Sequence, residues 1–120
     1  MRHEVTEAHT ATAVGSGDVP VLATPWLITW MEAATVRAAA PFVTAGLTTV
    51  GTGVRIRHLH ATPVGGRVDV LADPPAETEG RQLTFRVRAV DGSGQLVATG
   101  EIDRAIVDRR RFLAGASAQE

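Results

Sequence analysis

Three side chains in this sequence carry groups that a reaction could use: the hydroxyl of Thr24, the carboxylate of Glu32 and the imidazole of His58. Together they suffice for acyl transfer, in which the acid or the imidazole activates a nucleophile and the hydroxyl orients it. Each also has a purely structural reading. Thr24 stands where a helix N-cap belongs, Glu32 could be neutralised by an arginine such as Arg104, and a histidine on an apolar strand face is commonly a hydrogen-bonded core residue. His58, His60 and Glu32 could be read as metal ligands, but an H-x-H pair alone is a weak signal and no metal is expected.

The first two of these groups sit on one helix, which the pattern predicts over residues 23–42. Thr24 is placed to cap it, Pro25 suits a first-turn position that needs no N–H, and Pro41 ends it. Leu27, Trp30, Met31, Ala34 and Ala38 lie on one side while Ile28, Val36 and Ala39 cover much of the other, so something must wrap this helix. A carboxylate in such surroundings is costly unless it is paired, hydrogen-bonded or used, which singles out Glu32. His58 belongs to a strand predicted over residues 48–60, where Val54, Ile56, His58 and His60 alternate with Arg55, Arg57 and Leu59. Gly51 and Gly53 would weaken that strand, and their usual use is a bulge or the close approach of a ligand to backbone.

The remaining elements form a sheet. Residues 2–11 alternate weakly and are expected to pair as a strand, and the small, Gly-rich stretch 12–19 is a mobile loop that could cover a site. A strand over 67–73 carries Val68, Val70 and Ala72 on one face, and a polar break follows it. Residues 81–90 alternate cleanly, with Leu83, Phe85, Val87 and Ala89 inward. The D-G-S-G at 91–94 is a hairpin signal, and the last strand, 95–107, puts Leu96, Ala98, Gly100, Ile102, Arg104 and Ile106 on one face. Arg104 is out of place in that company. From Asp108 onward the chain reads as a polar tail. One strand, one long helix and four further strands make an α+β plan in which an antiparallel sheet of about five strands wraps a central helix, the element order of the hotdog fold.

Composition narrows the function. At 120 residues the chain is expected to be a single domain spanning 1–120, burying only about two-thirds of its unfolded surface, so pairing with a second copy would help it. A formal net charge of −1 gives no general drive toward nucleic acid or anionic membrane, and neither is an expected partner. The absence of cysteine removes disulfides and thiolate chemistry, leaving oxygen and nitrogen groups. With no long apolar run and no signal-peptide pattern at the N-terminus, a cytoplasmic protein is expected.

The stretches L-A-T-P-W-L-I-T-W-M-E-A-A-T-V-R-A, G-T-G-V-R-I-R-H-L-H-A-T-P-V-G and G-E-I-D-R-A-I-V resemble the fluoroacetyl-CoA thioesterase branch of the hotdog thioesterases. The likeness runs from about Val19 to Phe112, with a small length difference near Pro74 and Pro75. It implies a catalytic set of Thr24, Glu32 and His58, and substrate-binding roles for Gly51, whose backbone would approach the thioester carbonyl, and for Arg104. Arg104 could instead order the site or neutralise Glu32. Glu32 would act as nucleophile or as general base for water. The fluoroacetate-specific members carry phenylalanines before the catalytic threonine, whereas this chain has Gly15, Ser16, Gly17 and Asp18 there. The resemblance therefore implies hydrolysis of a short-chain acyl-CoA without fluoroacetyl selectivity. It implies no cofactor apart from the coenzyme A of the substrate, and assembly as a homodimer or a dimer of dimers. The alternative is a hotdog protein that binds an acyl-CoA or another small ligand without turning it over.

Overall fold

Alternating apolar residues and one capped helix set the architecture of the computed structural model, which describes residues 1–75 and 77–118. The elements are β1 (Arg2–Glu4), α1 (Ala11–Val14), α2 (Thr24–Ala39), β2 (Leu47–His58), β3 (Arg67–Ala72), β4 (Glu77–Glu79), β5 (Gln82–Asp91), β6 (Leu96–Asp108) and α3 (Arg109–Ala118). All pairings are antiparallel, in the order β1-β3-β5-β6-β2, with the short β4 added to β5. Among the described residues β2 therefore lies at one edge, paired with β6 alone.

The sheet curves around α2. Leu27 and Met31 of the helix are fully buried against Val68 and Val70, Leu83, Phe85 and Val87, and Val97 and Ile102 of the strands. This is the core that the period-two pattern predicts for 67–73 and 81–90. The helix is wrapped mainly on one side: Ile28 is half-buried and Val36 is 50 % exposed, so part of the apolar surface of α2 is uncovered among the described residues.

Several boundaries differ from expectation for local reasons. The predicted strand over 2–11 stops at Glu4, because the Thr6 N–H donates to His9 Nδ1 (3.0 Å) and the chain turns into a 3-10 helix at Glu7–His9. The Gly-rich stretch contains the single turn of α1, capped by the Thr10 hydroxyl, which accepts from the Ala13 N–H (3.2 Å), and closed by Gly15 at φ 80°. The predicted helix 23–42 ends as a 3-10 turn at Ala40–Phe42. In β6 the inward residue is Val97 rather than Leu96, because the register with β5 slips between Ala89 and Val90. The polar tail is the helix α3, started by Asp108, whose carboxylate accepts from the Arg111 N–H at 2.9 Å. No helix among the described residues is long and apolar enough to cross a membrane.

Candidate active site

Thr24 does not cap α2. The cap position is Ala23, which supplies no side-chain acceptor, and Thr24 is the first residue inside the helix. From there its hydroxyl reaches across to β2, where Thr24 Oγ1 lies 2.8 Å from His58 Nδ1. His58 ends β2, and its imidazole is partly enclosed. Burial lowers its pKa below the ordinary 6.5, more than a backbone contact at His60 raises it, so the site favours the neutral ring. Among the described residues its second nitrogen, Nε2, is buried without a hydrogen-bond partner. A neutral ring anchored at one nitrogen and unsatisfied at the other is ready for a proton-transfer partner supplied from outside.

The pair opens into a cleft of about 330 Å3 whose lining includes Ser16, Gly17, Val19, Leu22 and Leu59 beside Thr24 and His58. Ser16, Gly17 and Val19, in the stretch after α1, thus form one wall. Among the described residues no phenylalanine, tyrosine or tryptophan lines the cleft. His60 lies outside β2, and its Nδ1–H donates to the Leu96 carbonyl at 2.9 Å, which turns the ring to a structural use.

Glu32 belongs to a second cluster. It lies eight residues beyond Thr24 on α2, a helical rise of about 12 Å. Its carboxylate faces Arg104, with Oε2 3.5 Å from Nη1, and its side chain is 40 % exposed against 7 % for the arginine. Arg104 is held from behind by Thr49: Nε donates to Oγ1 (2.9 Å) and Nη2 to the backbone oxygen (3.2 Å). Burial lowers the Arg104 pKa, and the Glu32 charge opposes that shift. The guanidinium is thus a fixed backstop that leaves one side of the acid open, rather than a cation that reaches into solvent.

Gly51 completes this cluster. It pairs with Arg104 across the β2–β6 ladder, and the register slips between Gly51 and Gly53, the bulge that the two glycines predict. A Cβ added at Gly51 would stand 2.5 Å from Glu32 Oε2. The close approach to this backbone is therefore made by the acid itself within the chain. Thr49, which fixes Arg104, was not legible as a site residue, because nothing local in T-T-V-G marks it.

Within one chain the five expected residues fall into two halves. Thr24 and His58 meet at one end of β2, and Glu32, Gly51 and Arg104 meet toward the other. Among the described residues no group of three or more His, Cys, Asp or Glu side chains could hold a metal ion.

Residues 5–110 match the family described as fluoroacetyl-CoA-specific thioesterase. The fluoroacetyl-CoA thioesterase of Streptantibioticus cattleyicolor is 38 % identical over 94 residues, which are 78 % of this chain and 66 % of that protein's length, so the match spans just under two-thirds of the relative. A crystal structure of a variant of the fluoroacetyl-CoA-specific thioesterase FlK, in complex with fluoroacetate and CoA, superposes with a TM-score of 0.89 at 30 % identity, covering 99 % of this chain and 96 % of that one. A Thermus thermophilus protein described as a thioesterase superfamily member gives a TM-score of 0.91 at 31 % identity, covering 99 % and 87 % of the two chains. A structure described as a hot-dog-like protein, from Thermanaerovibrio acidaminovorans, shares the fold at 20 % identity and a TM-score of 0.83.

Proposed function

As the chain belongs to the fluoroacetyl-CoA-specific thioesterase family, we propose that it hydrolyses short-chain acyl-CoA thioesters, using Thr24, Glu32 and His58. The observation that carries this reading is the 2.8 Å contact between Thr24 and His58, whose other nitrogen has no hydrogen-bond partner among the described residues, at the wall of an open cleft.

The two halves of the site become one when two chains pair. β2 presents an open edge, Val54 on it is 40 % exposed, and Val36 on α2 is half exposed. An antiparallel pairing of two β2 edges about a twofold axis between Gly51 and His58 sets residue 51 of one copy opposite residue 58 of the other. Glu32 of the partner subunit then faces the Thr24–His58 pair, and the homodimer carries two such sites.

In each site Glu32 acts as the general base. It takes a proton from a water molecule oriented by the Thr24 hydroxyl, while the water oxygen forms its bond to the thioester carbonyl carbon. The carbonyl electron pair moves to oxygen. The resulting oxyanion is stabilised at the start of α2, where the first-turn N–H groups of Thr24 and Trp26 have no helical acceptor. Collapse restores the carbonyl and breaks the carbon–sulfur bond, releasing coenzyme A as a thiolate and the acid as the second product. The proton held by Glu32 passes through His58 to the thiolate or to solvent. Small walls at Ser16, Gly17 and Val19 support acceptance of acyl groups without discrimination for fluorine. The proposed setting is the cytoplasm, where coenzyme A thioesters are made and used.

Purified protein assayed with acetyl-CoA, propionyl-CoA and fluoroacetyl-CoA, with a thiol reagent to detect free coenzyme A, tests this. The expected result is turnover of all three that is lost in Glu32→Gln and in His58→Ala. Tight binding of coenzyme A with no thiol released above background would instead favour a binding protein.

A further inference from the structure

The groove at the start of α3 is unused by the chemistry above. Its residues Arg109, Arg110 and Arg111 are consecutive and exposed in a chain whose formal net charge is −1, so this positive patch is local. Among the described residues none of the three forms an ion pair. The neighbouring Asp108 is committed to the Arg111 N–H. Arg109 and Arg110, with Gly46, Asp108 and Leu113, line a groove of about 560 Å3, and the Arg109 N–H donates to the Gly46 carbonyl (3.0 Å), which ties the start of α3 to the start of β2. Arg111 lies outside that lining.

Position along the sheet gives the groove its meaning. Arg104, at the Glu32–Gly51 half-site, lies in β6 and Arg109 is the first residue of α3 directly after it, five residues on and at most about 17 Å away along the extended strand. The flexible arm of coenzyme A, between its sulfur and its diphosphate, spans a distance of that kind. We propose that Arg109 and Arg110 bind the phosphate groups of the coenzyme A moiety while the thioester lies at Glu32 and Gly51 of the same chain. Guanidinium forks suit this ligand, because each can present paired N–H donors to phosphate oxygens, and the groove is wide enough to admit a nucleotide. Leu113 gives the groove one apolar wall. The inference rests on the thioesterase reading and adds to it the place where the non-reacting half of the substrate is held.

The test compares acetyl-CoA with acetyl-pantetheine, which has the same thioester and no phosphate, in the full-length wild type, in the double variant Arg109→Ala/Arg110→Ala and in Arg111→Ala. The double variant should raise KM for acetyl-CoA by about tenfold, the combined worth of two solvent-exposed charge-assisted contacts, with kcat within about twofold. KM for acetyl-pantetheine should not rise in parallel, and Arg111→Ala should raise KM for acetyl-CoA far less. An unchanged KM for acetyl-CoA in the double variant, or an equal rise for both substrates, overturns the proposal. Should the wild type hydrolyse neither thioester, the thioesterase reading fails separately. Calorimetric titration with coenzyme A then decides the groove: binding about tenfold weaker in the double variant supports it, and equal affinity or no binding to the wild type refutes it.

Discussion

Glu32 Oε2 occupies the space that any side chain at Gly51 would need, 2.5 Å from where a Cβ would stand. The backbone at Gly51 is not in the left-handed region, so the glycine serves the neighbouring acid rather than a strained turn. Gly51→Ala should therefore fold normally yet displace the carboxylate, lowering kcat by about tenfold to a hundredfold through misplacement of the base. Circular dichroism and kinetics on one preparation check both halves of this statement.

Thr24 separates capping from chemistry. Loss of an N-cap hydroxyl would cost about 1 kcal/mol, but the Thr24 side chain makes no cap bond. Thr24→Ala should leave Tm nearly unchanged and cut kcat by about a hundredfold, whereas Thr24→Ser keeps the hydroxyl and should keep most of the activity. A large fall in Tm with little change in kcat would reverse the assignment.

Complementation tests the two half-sites directly. Glu32→Gln and His58→Ala should each be inactive alone. Co-expressed with different tags and purified as a heterodimer, they form one intact site, because the first chain supplies Thr24 and His58 and the second supplies Glu32. Activity of about half that of the wild-type dimer is expected from one working site of two. A silent heterodimer would place all three residues in the same chain's site.

The pH response follows from two histidines whose pKa values burial lowers, His58 in the cleft and His3, which stacks on Trp30 with ring centroids 4.4 Å apart. The proposed proton transfer uses neutral His58, so kcat should hold through neutral pH and fall only once the pH drops below its lowered pKa. For stability, the unfolded chain takes up protons at these positions near pH 6.5 while the folded chain still excludes them. Their contribution is therefore complete above that pH and shrinks as the pH falls through it. Thermal melts from pH 8 to pH 5 should show a falling Tm on the acid side. His3→Gln should reduce that slope without moving the kcat profile.

The sheet was legible because burial on one face imposes a period of two, and Leu83, Phe85, Val87 and Ala89 display it without interruption. Arg104 stood out in sequence for the same reason, as a cation on an inward face. What holds Arg104 was hidden, since Thr49 is fifty-five positions away and comes beside it only through the register of β2 and β6. Thr24 misled because a threonine before a proline at a helix start satisfies every capping rule, and only the position of His58 shows where the hydroxyl goes. Leu96 continues the inward alternation in sequence, but a one-residue slip against β5 turns it outward, and no residue type announces that slip. The helix α3 did carry a signal in Asp108, but three arginines at a helix start oppose the helix dipole and read as a tail.

The free margin of β2 carries a last implication. With the sites shared as proposed, a lone subunit would hold two incomplete pockets beside the unpaired margin of β2, so rate and abundance would be linked: specific activity should decline on dilution, and substrate that bridges two subunits should slow that loss.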